Sequence, residues 1–123
     1  MTTSKSSFLK SFVYAWQGLR VAFSQRNMRI HALCALLAIG GGFWFKISQT
    51  EWCIVLLCIG LVMSLEALNT AVEFYIDLIS PDYHEKAGKI KDLGAGAVLI
   101  AAVISLITGT LVFGKYILAL LHQ

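Results

Sequence analysis

Long apolar runs separated by short polar segments dominate the chain. The first covers Ile30 to Phe45 and is interrupted only by His31. The second starts at Trp52 and continues to about Ile79, turning polar after Ser64. The third runs from Leu93 to about Leu121, with no acid and Lys115 as its base. A bilayer span takes about 20 predominantly apolar residues, so the pattern predicts three transmembrane helices, over about 29–47, 51–79 and 92–120. Ahead of them, Phe8, Phe12, Ala15, Trp16, Leu19 and Phe23 recur mostly at three- and four-residue spacings, with Lys10, Gln17, Arg20 and Ser24 between. That spacing predicts an amphipathic helix over about 6–25, lying in the headgroup plane. A soluble-type helix packed on the bundle is the alternative; the aromatic face and the basic charge favour the interface. Residues 1–29 lack the continuous apolar core of a signal peptide, and no cleaved leader is expected. The predicted fold is all-α and integral to the membrane, with residues 1–123 as one domain.

Composition narrows what such a chain can do. Apolar residues make up 58% of the 123 and charged residues 14%, and the mean hydropathy is +0.74, far from the usual soluble balance. The length leaves no room for a soluble nucleotide-binding domain beside a membrane anchor. Any site must be built from the membrane helices, within one chain or shared between subunits. Lys5, Lys10, Arg20, Arg26 and Arg29 precede the first span, and Lys86, Lys89 and Lys91 lie between the second and third. Lys46 and Lys115 alone fall on the opposite side. Such asymmetry predicts a cytoplasmic amino terminus and a cytoplasmic 80–92 loop, with Trp44 and Trp52 marking the outer interface around a tight turn. The basic excess is explained by these flanks, so no nucleic-acid role is assigned. Cys34, Cys53 and Cys58 sit in apolar spans without metal-ligand spacing and are read as packing residues.

The acids are lopsided too. None occurs before Glu51, while Glu66, Glu73, Asp77, Asp82, Glu85 and Asp92 crowd into one stretch. At about 100° per residue, Glu66, Asn69, Thr70, Glu73 and Asp77 share one helical face. A carboxylate in the bilayer core costs roughly 2.5–3.5 kcal/mol or more, and a segment that only had to span would discard this stripe. Ser80-Pro81-Asp82 should end the second helix, because proline cannot continue the hydrogen-bond ladder. The small residues of Gly94-Ala95-Gly96-Ala97 then allow close approach of the third. Three chemistries suit the stripe. Phosphoryl transfer to a lipid hydroxyl needs a divalent ion on the nucleotide, cations near the phosphates and a base near the acceptor. Glu73, near the cytoplasmic end, suits the metal; Glu66, about 10 Å deeper, suits the acceptor; Lys91 suits phosphate. Proton or ion handling also uses intramembrane acids, and acids hydrogen-bonded inside an oligomer would be inert.

The motif Glu66-Ala-Leu-Asn69-Thr70-Ala-Val-Glu73, followed by Asp77, Asp82-Tyr83-His84 and Lys91-Asp92-Leu-Gly-Ala-Gly-Ala-Val98, resembles the prokaryotic diacylglycerol kinase and undecaprenol kinase family. Upstream, Trp16-Gln-Gly18-Leu-Arg20 and Arg26-Asn27-Met-Arg29-Ile-His31 resemble it as well, so the likeness covers nearly the whole chain. The resemblance implies a homotrimer of three-span subunits in the bacterial inner membrane, composite active sites between subunits, ATP as co-substrate and Mg²⁺ as metal. By position it implies Glu66 as catalytic base and Glu73 as metal ligand. It also implies ATP contacts at Lys10, Tyr14, Asn69, Glu73, Asp77, Asp82, Tyr83, His84, Lys91 and Asp92, and lipid contacts at Trp16, Glu66 and Asn69. One departure stands out: the family usually places a second metal-binding glutamate just before the Arg-Asn-x-Arg segment, where this chain has Ser24-Gln25. Glutamine brings no negative charge to magnesium, which opens the reading of a weakened kinase. The segments Arg26–His31, Thr50–Trp52 and Ala95–Val98 look more like the undecaprenol branch than the diacylglycerol branch, and undecaprenol is the expected acceptor.

Overall fold

The computed structural model describes residues 4–123, which form four helices and no strands: α1 (Ser4–Phe23), α2 (Arg26–Phe45), α3 (Gln49–Ile79) and α4 (Glu85–Leu121). Helices α2, α3 and α4 are long and apolar enough to cross a membrane. They run up, down and up, and α3 packs mainly on α4. Helix α1 meets the bundle near its carboxyl end, where Ala22 is buried. The large apolar side chains of α1, Phe8, Phe12 and Trp16 among them, are exposed, as are the polar ones between them.

The helix bounds depart from the sequence-based expectation most instructively at the α1–α2 turn and at the start of α4. Helix α1 stops at Phe23 rather than 25, and α2 starts at Arg26 rather than 29, because Ser24 and Gln25 form a tight turn whose N–H groups bond to Val21 O and Ala22 O at 3.1 Å each. Helix α4 begins at Glu85, well before 92. His84 caps it, its Nδ1 accepting the Lys86 N–H at 3.1 Å. Glu85 in the first turn complements the helix dipole, and Lys89 pairs with it at 3.7 Å. Counting apolar residues finds the membrane-embedded part of a helix and misses the polar turns that project beyond it.

The main intramolecular core lies at the α2–α3 turn. Ile47, Val55 and Val112 are buried there, with Phe45, Trp52, Phe113 and Tyr116 packed around them. Lys46 ends α2 in the left-handed conformation (φ 53°, ψ 55°), and the Ile47 N–H returns to Gly42 O at 3.1 Å, satisfying carbonyls at the helix end. Ser48 and Glu51 then start α3 with reciprocal side-chain to backbone bonds of 3.2 and 3.0 Å, a capping box. The Glu51 carboxylate also ties the turn to α4: it accepts the Tyr116 hydroxyl at 2.6 Å and pairs with Lys115 at 3.1 Å.

Gly42 is required by this packing. A Cβ there would lie 2.6 Å from Trp52 Cη2 and 3.1 Å from Ile47 Cδ1, and Phe43 flanks the indole at 4.9 Å. Gly42→Ala is expected to destabilise the subunit by about 1–3 kcal/mol, as overpacking does, read as a lower thermal midpoint in detergent.

Between the helices the packing is incomplete. A cleft of about 750 Å³ is lined by α2, α3 and α4, from Ile30 and His31 to Phe45 and Ile117. Its walls include small residues such as Ala35, Ala38, Gly41 and Gly109. The bundle also leaves large aliphatic side chains such as Leu57 (73% exposed) uncovered, which suits lipid contact and helix–helix contact with other subunits.

Candidate active site

The last four turns of α3 carry the acidic stripe, and burial falls steadily along it. Glu66, Asn69 and Thr70 are buried, Glu66 to 3% exposure, Glu73 is half-buried and Asp77 is exposed. A buried polar group must find a partner or bear its desolvation, and the stripe solves this pairwise. Glu66 Oε2 lies 3.5 Å from His31 Nε2 on α2. The Thr70 hydroxyl bonds back to Glu66 O at 3.1 Å, within the helix. The Asn69 amide donates to Glu73 Oε1 at 3.2 Å. Lys91 on α4 forms an ion pair with Asp77.

This register follows from Gly94. With no side chain, it lets α4 close on Asn69; a Cβ there would collide with Asn69 Oδ1. That oxygen is buried and has no hydrogen-bond partner. Asn69 is therefore held between Gly94 and Glu73 with its acceptor unused. Gly94→Ala should force the amide off Glu73. Hydrogen bonds to charged groups are worth about 1.5–3 kcal/mol, so, with Glu73 in the metal-binding role that the family resemblance implies, the expected result is a rise of roughly tenfold or more in the KM for ATP, with the subunit still folded.

The structure does not unite every predicted position within one chain. Lys10, Tyr14 and Trp16 are exposed on α1, and among the described residues no hydrogen bond or ion pair joins them to the α3 acids. Asp82, Tyr83 and His84 lie in the α3–α4 connection: Ser80 Oγ bonds to Asp82 O at 3.2 Å, Tyr83 is 91% exposed beside Gly88, and His84 serves as the helix cap. Asp92 is exposed one position after Lys91. Gln25 is the residue preceding α2, half-buried, its amide 3.3 Å from Ser24 Oγ. The contact that sequence reasoning missed is His31 to Glu66. Its signal was visible: a lone ionisable residue interrupting an apolar run.

The donor set bears on a metal. Among the described residues no three His, Cys, Asp or Glu side chains converge. Mg²⁺ on a nucleotide needs less, being bound through one or two carboxylates with phosphate and water oxygens completing its octahedron. Glu73 fits that requirement: its carboxylate is steadied by Asn69, whose own oxygen lacks a donor.

Comparison with known proteins shows the family. The family model described as prokaryotic diacylglycerol kinase matches residues 13–113. The chain is 46% identical to the undecaprenol kinase of Bacillus subtilis over 107 residues, covering 86% of this chain and 87% of that protein. It is 35% identical to the diacylglycerol kinase of Escherichia coli over 108 residues, covering 87% and 88%. With the diacylglycerol kinase of Haemophilus influenzae it shares 35% identity over 115 residues, covering 91% and 97%. A three-span helical bundle carrying the Glu66–Glu73 motif, matched by the family model over most of its length, belongs to the prokaryotic diacylglycerol kinase family.

Proposed function

We propose that the protein transfers the γ-phosphoryl group of ATP to the hydroxyl of a membrane lipid alcohol, undecaprenol in preference to diacylglycerol, at the cytoplasmic face of the bacterial inner membrane. What carries this reading is the gradation along α3: a buried carboxylate at Glu66, a half-buried one at Glu73 and an exposed ion pair at Asp77–Lys91. An acceptor arriving from the bilayer meets the first, and a nucleotide arriving from water meets the last. The amino terminus is cytoplasmic in this reading, supported by the basic flanks.

Glu66 serves as the base. The lipid hydroxyl gives its proton to the carboxylate as its oxygen bonds to the γ-phosphorus. The bond from that phosphorus to the bridging oxygen breaks, and ADP leaves with the electron pair. Glu73, with phosphate oxygens, would hold Mg²⁺, which when bound offsets phosphate charge. Lys91 and Asp77 act at the phosphate end, with Asp82, Tyr83, His84 and Asp92 toward the rest of the nucleotide. Lys10 and Tyr14 on α1 complete the nucleotide side, and Trp16 and Asn69 the lipid side. One chain leaves these groups apart and open, which supports sites shared between neighbouring subunits, in the homotrimer that the family resemblance implies. The preference for undecaprenol rests on the higher identity to a relative named for it and on the scarcity of polar groups that would read a larger headgroup.

The test is radiolabelled phosphate transfer from ATP in detergent micelles, with each lipid supplied separately and the divalent metal withheld or restored. Metal-dependent labelling of undecaprenol above diacylglycerol is expected. Movement of protons or ions across liposomes without phosphorylation of any lipid alcohol would overturn the proposal.

A further inference from the structure

Glu66 is buried, and its carboxylate needs a partner. Each neighbouring element offers a different candidate. On α3, Thr70 is committed to the Glu66 main-chain oxygen, and Asn69 donates to Glu73. On α4, Lys91 is committed to Asp77. On α2, His31 places Nε2 3.5 Å from Glu66 Oε2. Among the described residues it is the basic side chain within ion-pair reach of Glu66. His31 also lines the cleft of about 750 Å³, whereas Glu66 does not. The imidazole therefore stands between the apolar cleft and the carboxylate.

We infer that His31 is the positioning residue of the catalytic base, its Nε2–H held against Glu66 Oε2 so that Oε1 faces the incoming hydroxyl. This rests on the reading of Glu66 as base. His31 takes no proton in the transfer step. It holds one carboxylate oxygen and leaves the second free for the lipid O–H. The requirement is geometric: a base must sit within hydrogen-bond reach of the proton it removes, and an unpinned glutamate has rotamers that point elsewhere.

The experiment compares His31→Leu and His31→Gln in the micelle assay, with ATP and lipid varied separately. Leucine fills the space without a donor, and its turnover should fall roughly 10²-fold, the order that misplacement of a catalytic group costs, while the KM for ATP stays unchanged. The glutamine amide reaches the same oxygen and should retain most of the turnover. In a Glu66→Gln background, His31→Leu should add no further loss, because residues acting as a unit are non-additive. Wild-type turnover in His31→Leu, equal loss in His31→Leu and His31→Gln, or full additivity with Glu66→Gln would overturn the inference. Should His31→Leu not fold, judged by thermal midpoint and oligomer size, His31→Asn replaces it: its amide is too short to reach Oε2, so asparagine should fail where glutamine succeeds. An inactive wild type, or a Glu66→Gln variant with full turnover, would instead overturn the reading of the site itself.

Discussion

Glu66→Gln is expected to lower turnover by roughly 10²–10⁴-fold, the usual contribution of a general base, with the KM for ATP nearly unchanged. Glutamine keeps the side chain's shape but cannot accept the hydroxyl proton. The site tolerates it sterically: Glu66 sits 3.5 Å from His31, and its main-chain oxygen still receives Thr70. Because a neutral amide is less costly to bury than a carboxylate, the variant should be at least as thermally stable as the parent. A loss of activity with stability intact separates chemistry from folding. The measurement is steady-state phosphate transfer beside a thermal melt of the same preparation. Near-normal turnover would remove Glu66 from the base role and make Asp77, exposed and paired with Lys91, the next residue to test.

Glu73→Gln should act on a different parameter. In the proposed function its carboxylate is the negative charge offered to a metal-bound nucleotide, and the partner that steadies it is a neutral amide at 3.2 Å. Removing that charge should raise the KM for ATP on the order of 10²-fold, since a lost metal contact forfeits several kcal/mol, and should raise the Mg²⁺ concentration needed for half-maximal rate. Gln25→Glu supplies the complementary arm. Gln25 stands at the amino end of α2 with its amide toward Ser24, and restoring an acid there should lower the Mg²⁺ requirement or raise activity. Titration of Mg²⁺ at fixed ATP, across both variants and their combination, checks the pair. An unchanged Mg²⁺ requirement in Glu73→Gln would exclude it as a ligand. No response to Gln25→Glu would mean that this chain has organised its metal site around other groups.

The apolar runs and the α3 acidic stripe were legible in the residues, because both depend on local quantities. A span is a matter of length and hydrophobicity, and a helical face follows from a period of 3.6 residues. The stop at Ser80-Pro81 was legible for the same reason, since proline acts on its own backbone and the residue before it; α3 does end at Ile79. The turn at Ser24 and Gln25 and the early start of α4 at Glu85 were not, because they depend on backbone bonds and caps that hydropathy does not register.

Which polar groups meet was decided by packing between helices, and spacing within one helix cannot report it. His31 and Glu66 are far apart in sequence, and only the antiparallel register of α2 and α3, set at the Gly42–Trp52 turn, brings them to 3.5 Å. Likewise Gly94 could be read as a small residue suited to close approach, but its role in trapping Asn69 against Glu73 depends on which turn of α3 it faces. The spans, the charge asymmetry and the stripe of acids are each a property of neighbours along the chain. The tertiary structure decided the partners, His31 for Glu66, Asn69 for Glu73 and Lys91 for Asp77, because a buried polar group is satisfied by whatever the neighbouring helix presents at its depth.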